Sequence, residues 1–220
     1  MISALLALAL AASPSQPRAI SMTGDAKMTF RPNQVVASFL LSASSRDQAG
    51  ARKVNDEKLA KFVRACREAG VEQRNLTINE GGAAPEYRGN EVISYLFNRS
   101  VIVTITDMAR VDDALTAAVR NGGVVSGSVM IQNTEHQLYE TKARVAAAQA
   151  ARERAKGVTE ALGAKLGLPV NVSERTTPVE SVPVGSFSVP VDGSVTSGFA
   201  NRELIVTSQV TVQFDMEAPL

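Results

Sequence analysis

The chain has 220 residues, 23 Lys and Arg against 22 Asp and Glu, and one cysteine. That length can bury a real core without covalent staples, and a lone Cys66 permits no intrachain disulfide. Basic residues interspersed with acidic ones leave no electrostatic footprint for DNA or RNA, so no nucleic-acid partner is expected.

The first segment, Met1-Ile-Ser-Ala-Leu-Leu-Ala-Leu-Ala-Leu-Ala-Ala-Ser13, is uncharged and apolar. It is shorter than the roughly 20 residues a membrane-crossing helix needs. It suits the hydrophobic region of a secretory signal, with Ala9 and Ala11 placed for cleavage. Residues 1–19 are therefore read as a signal peptide and short linker. The run lacks Lys or Arg ahead of it, and a buried N-terminal strand or helix is the competing reading. No later segment has the length and apolarity of a membrane span.

Residues 20–24 and 34–42 alternate with the period of strands, placing Val35, Ala37, Phe39 and Leu41 on one face. Ser45 and Gln48 form a capping-box pattern ahead of a helix whose apolar stripe is Val54, Leu59, Phe62, Val63, Cys66 and Ala69, closed by Gly70. Cys66 on that stripe reads as a small buried hydrophobe rather than a reactive thiol. A short strand at 76–79 and a glycine-rich loop at 80–89 follow. The next segment, 92–106, is the longest strand signal, with Tyr95, Phe97, Val101, Val103 and Ile105 on its apolar face. Asp107 caps a second helix bearing Val111, Leu115, Ala118 and Val119, and Asn121-Gly-Gly123 ends it. A strand is expected at 124–132.

The fold class is thus α+β. Its antiparallel sheet runs in ferredoxin-like β-α-β-β-α-β order, followed by a long third alanine-rich helix and C-terminal strands. That third helix opens at a Thr134/Gln137 capping box and runs to about Leu166, where Gly167-Leu-Pro169 stops it. Its stripe is Ala147, Ala151, Ala155, Val158, Leu162 and Leu166, a close-packing face that Arg144 interrupts. Residues 176–200, rich in Pro, Ser, Gly and Val, read as a surface excursion. A last strand alternates through Leu204, Val206, Val210, Val212 and Phe214.

No residues along the chain assemble into a catalytic constellation. His136, the single histidine, sits at the start of the third helix with no second His and no Cys pair to share a metal, so no metal and no cofactor is expected. No G-x-S-x-G elbow precedes a helix, and the pairs Gly81-Gly82 and Gly122-Gly123 form no phosphate loop. Asp112-Asp113 and Asp56-Glu57 read as solvated helix faces. The chain is therefore not read as an enzyme.

Several pieces in a fixed order carry a resemblance. They are Ile20-Ser-Met-Thr-Gly-Asp-Ala26, Glu68-Ala-Gly-Val71 leading to Asn75-Leu-Thr77, Pro85-Glu-Tyr87, Asn121-Gly-Gly123, Ala161-Leu-Gly-Ala-Lys-Leu-Gly167 and the final alternating strand. In these the chain resembles the SIMPL domain (DUF541) family of bacterial periplasmic and outer-membrane-associated proteins, across one domain at about 20–216. Ala200-Asn-Arg-Glu203 stands where that family usually has a Pro-Gly-Glu step. The resemblance implies a periplasmic α+β protein that self-assembles into ring- or channel-like oligomers, with outer-membrane association and a link to oxidative or envelope stress protection. It defines no catalytic residues.

Two functions follow. Pro85, Tyr87 and Arg144 are the candidate interaction residues, the first two within residues 80–89; the first function is a non-enzymatic envelope protein acting through homo-oligomeric assembly and surface contacts. The second is a periplasmic binding or adaptor module that grips a peptide, lipid or small apolar ligand through residues 80–89 or 176–200.

Overall fold

The computed structural model describes residues 18–178, 181–184 and 195–217. Most of the 1–19 signal and linker reading, and part of the 176–200 excursion, lie outside them. In chain order the elements are β1 (Ala19–Phe30), β2 (Gln34–Ser45), α1 (Gln48–Glu68), β3 (Leu76–Ile78), β4 (Gly82–Arg88), β5 (Glu91–Ile105), α2 (Val111–Arg120), β6 (Val124–Val125), β7 (Met130–Gln132), α3 (His136–Ala161), β8 (Lys165–Thr177), β9 (Ser181–Pro183) and β10 (Leu204–Glu217). They divide into two compact units, a larger one of Lys27–Ala143 with Thr177–Thr207, and a smaller one built from the described parts of 18–26, 144–176 and 208–217.

In the larger unit the sheet order is β3-β5-β2-β7-β9, with β4 added on β5 and β6 on β2. Every registered pair is antiparallel. The alternation in β2 and β5 sets the register: Val35 faces Ile105, Ala37 faces Val103 and Phe39 faces Val101, so one face of the sheet is continuously apolar. α1 and α2 bury that face through Phe62, Cys66, Leu115 and Ala118. Phe62 meets Phe39 edge to face, with ring centroids 5.6 Å apart. Gly123 is fixed by the same pair, because a Cβ there would sit 2.6 Å from the Phe62 ring and 3.0 Å from Phe39.

Several local expectations are corrected. The cap of α1 is Asp47 rather than Ser45 of the expected capping box: its carboxylate accepts from the Gly50 N–H at 2.7 Å, and the helix begins at Gln48. Gly70 does close the helix, at φ +95°. On α1, Val54 is exposed and the polar Asn55 is fully buried instead. The amide of Asn55 donates to the carbonyls of Leu41 and Phe97 at 2.8 and 3.3 Å, tying the helix to the sheet. Residues 80–89 are not a loop: β4 pairs with β5 from Gly82 to Arg88. The single strand expected at 124–132 is two short ones, separated where Gly127 takes φ +83°. Within 176–200, Ser181–Pro183 pairs with β7, and Val195 and Phe199 are buried in the core.

In the smaller unit the sheet order is β1-β10-β8. Thr23 Oγ1 lies 2.8 Å from Thr211 Oγ1, while further along the Met216 N–H donates to the Arg18 carbonyl, so β1 and β10 run antiparallel. Thr176 bonding Ser208 and Gly167 lying against Asp215 make β8 antiparallel to β10 as well. α3 covers this sheet with alanines: Ala147, Ala151 and Ala155 are fully buried and pack with Val210, Val212 and Phe214. The approach is backbone to backbone, since a Cβ on Gly24 would fall 2.0 Å from the Ala147 carbonyl oxygen and 2.3 Å from the Ala151 nitrogen. The close-packing reading of the stripe therefore holds for its alanines, against the chain's own sheet.

The second half of that stripe does not hold. α3 ends at Ala161, and Gly163 at φ +71° closes it, with the Ala164 N–H reaching back to the Thr159 carbonyl. Val158 and Leu162 are exposed, and buried Thr159 extends the i, i+4 row instead. Its hydroxyl is satisfied by donating to the Ala155 carbonyl at 2.9 Å. Nor is the cap at Thr134. Thr134 and Glu135 form a turn ahead of α3, held by the Asn133 side-chain oxygen accepting from the Glu135 N–H at 2.7 Å.

Candidate functional site

Two surfaces stand out, one on each unit. The first is the β4–β5 hairpin of the larger unit. β2 accompanies β5 only as far as Tyr95, which faces Ser45. Beyond that point β4 and β5 continue as a two-stranded ribbon turned by Gly89-Asn90, with Gly89 at φ +63° as a tight hairpin requires. Residues 82–93 are exposed except for Glu86. The Glu86 carboxylate accepts from the Ser94 and Ser44 hydroxyls at 2.5 and 3.0 Å, pinning the base of the arm to the end of β2.

Of the residues singled out in the sequence, Pro85 and Tyr87 lie on this arm. Pro85 faces Tyr95 in the register and, lacking an N–H, cannot donate along a ladder. Tyr87 is 62% exposed and faces Val92, itself exposed. Ile93, exposed too, alternates onto the opposite face. The arm is thus apolar on both sides, past a register shift between Glu86 and Tyr87.

Arg144, the third such residue, belongs to the smaller unit. Its Nε donates to Glu174 on β8 at 2.5 Å. The hydrogen bond from Arg144, and then one from the Thr176 hydroxyl, hold the Glu174 carboxyl below its ordinary range. Arg144 thus has a partner in its own chain, which is how the charge is accommodated beside the alanine stripe.

The second surface was not read from the sequence. β8 is an edge strand whose even positions point to the face that α3 covers, but only Leu166 packs against the helix core. Leu168, Val170 and Val172 remain 79%, 59% and 59% exposed. Beside them runs a groove of about 310 Å³, floored by Val210, Val212 and Phe214, walled by Leu168, Pro169 and Val172 on one side and by Ala148 and Arg152 on the other. Arg152 and Gly167 also line a charged cleft of about 670 Å³ that holds Glu153, Lys156, Glu160 and Lys165. The period-two run from Leu166 to Val172 carried the signal, and the helix expected to 166 masked it.

Other chemistry is structural. Arg99 alternates onto the buried face of β5, where its side chain is 10% exposed. Its guanidinium pairs with Asp56 at 2.8 Å and lies 5.3 Å from the centroid of Phe97. Asp56 is therefore a partner of a buried cation rather than simply a solvated acid. Asp112 likewise accepts from both the backbone N–H and the hydroxyl of Ser197. Cys66 is buried, and burial pushes its thiol up to about 12, which suppresses the reactive thiolate. His136 is half-buried, its Nδ1 3.1 Å from the Asn133 carbonyl. Among the described residues no three His, Cys, Asp or Glu side chains gather to hold a metal, and no helix is long and apolar enough to cross a membrane.

These features define an α+β protein, built largely of antiparallel strands, that exposes apolar side chains on the β4–β5 hairpin and on β8. The model of the SIMPL family, described as a protein of unknown function (DUF541), matches residues 20–214, and the chain belongs to that family. Among its relatives is the 26 kDa periplasmic immunogenic protein of Brucella melitensis, 25% identical over 179 residues, which are 77% of this chain and 72% of the relative. The uncharacterized protein YggE of Edwardsiella ictaluri is 22% identical over 92% of this chain and 84% of its own length. YggE of Escherichia coli K12 is 22% identical over 93% and 85%.

Proposed function

We propose that the protein is a non-enzymatic, exported envelope protein that works through self-assembly and surface contacts. The observation that carries this reading is the β4–β5 arm. A two-stranded ribbon is marginally stable alone in water, yet this one exposes Tyr87, Val92 and Ile93 on its two faces. Such an arm gains stability when a partner covers those faces, and a second copy of the chain is the commonest kind of partner. Pro85 and the register shift discourage simple strand addition along β4, so the contact is made through side chains. Arg144 is held by Glu174 and contributes to the surface of the smaller unit.

The name of the Brucella relative supports a periplasmic setting, as does the apolar run at the start of the chain, read as a signal within 1–19 ahead of a domain at 20–216. Family resemblance adds outer-membrane association and protection against oxidative or envelope stress. Ferredoxin-like organisation of the larger unit is part of the same reading, supported by the sheet neighbours β3-β5-β2-β7 with α1 and α2 in the connections.

Hydrogen exchange tests the arm directly. Backbone amides at 82–94 are expected to slow markedly as protein concentration rises, and a Tyr87→Ser/Ile93→Ser variant is expected to lose that dependence. Rapid exchange of the arm at every concentration would contradict the reading. A binding module is the second reading, and the groove between α3 and β8 is the observation that favours it.

A further inference from the structure

We infer that this groove is a binding site for a single-chain anionic amphiphile, a carboxylate carrying one alkyl chain. The inference goes beyond assembly through the arm, deepens the binding reading, and uses only residues of the smaller unit. Three observations lead to it. The groove is concave and about 310 Å³, with Val210, Val212 and Phe214 as its floor. That shape receives an alkyl chain, whereas a bilayer surface calls for apolar side chains that protrude. Its strand wall carries Leu168 and Val172, left largely in water, so an occupant removes that apolar surface from solvent.

Charge decides the head group. Among the described residues Arg152 is the one charged side chain that lines the groove, and it lines the charged cleft as well. It makes no hydrogen bond or ion pair among the described residues, and neither does Lys165 in the same cleft. Of the remaining charges there, Lys156 and Glu160 face each other at 4.0 Å, while Glu153 is the acid left over. Two free cations against one free carboxylate, with Arg152 at the junction, favour an anionic head over a cationic one. The guanidinium fork fits a carboxylate bidentately while the chain runs along the floor.

Calorimetric titration of the exported chain with dodecanoate is the test, with dodecyltrimethylammonium as the opposite-charge probe and anionic phospholipid vesicles as the bilayer probe. Saturable binding of one dodecanoate per chain is expected, at least tenfold tighter than the cationic homologue. Arg152→Gln should cost at least tenfold for dodecanoate and leave the cationic probe unchanged. Val172→Asp, at an exposed position that folding tolerates, should weaken both. Running the Tyr87→Ser/Ile93→Ser variant in parallel separates this site from assembly, because dodecanoate binding should persist there whatever the oligomer does. Equal binding of the two head groups, insensitivity to both groove substitutions, or capture by vesicles without saturable dodecanoate binding would overturn the proposal. So would a groove closed by a second copy, seen as a mass that falls on Leu168→Ser with no dodecanoate bound in either form.

Discussion

The two units bury their sheets in opposite ways. In the larger one, bulky side chains fill the space between α1, α2 and the sheet: Phe39, Leu41, Phe62 and Leu115 are all fully buried. In the smaller one, three alanines and Gly24 bring α3 almost onto the strand backbone. A helix is about 10 Å across and strands are about 4.8 Å apart, so one helix seated that closely covers about two strands. β1 and β10 are the two, and the apolar row of β8 is left beside the helix rather than beneath it. Close packing in one place thus creates the open groove in the next.

The contrast sets an order of sensitivity. Phe62→Ala empties the larger core and should cost about 3–5 kcal/mol, measured by urea unfolding monitored by circular dichroism. A loss below about 1 kcal/mol would mean that this core is not the packed one described. Gly24→Ala should cost about 3 kcal/mol, at the upper end of overpacking, because the atoms it would strike are main-chain atoms of α3 that no rotamer change can move aside. An unchanged melting temperature would show that α3 does not rest on β1.

Asp56→Ala strips the partner from an Arg99 side chain that is largely buried, while Asp56 itself is half-exposed. The expected loss, about 1–2 kcal/mol, lies between the costs of breaking exposed and buried ion pairs. Arg99→Met with Asp56→Ala should recover most of it, since an apolar chain then fills the site. Val172→Ser on the open strand should change stability by less than about 0.5 kcal/mol, even though Val210 and Val212 on the covered strand are buried.

The weakest effect is a pH signature. Glu174 titrates below its ordinary range because Arg144 and then Thr176 bond its charged form. A depressed carboxylate stabilises the fold above its unfolded pKa, and that contribution is lost as pH falls through the folded one. Arg144→Ala should therefore lower the melting temperature near pH 7 and converge with the wild type in acid. Parallel melting curves at every pH would deny the pair any role.

Strands with one buried face were legible in the sequence, because a period of two in β2, β5 and β10 leaves little room for another register. Helix ends with a left-handed glycine, such as Gly70, were legible as well. What was missed has physical causes. Pro85 and the Gly81-Gly82 pair made residues 80–89 look like a loop, although an edge strand tolerates proline on its free side. Alanine periodicity carried α3 past its Gly163 stop and hid the start of β8. Arg99 fell on the apolar face of β5 by strict alternation, but a cation there was passed over because its partner lies on α1, far away in sequence. The groove needs three segments, 148–152, 167–172 and 210–214, and no window of sequence contains them together.

The most direct test of the central claim is the mass of the protein in solution, measured by light scattering across micromolar concentrations. The account expects a defined multiple of the single-chain mass that collapses to one chain in the Tyr87→Ser/Ile93→Ser variant. A wild-type protein that stays at one chain throughout would contradict it.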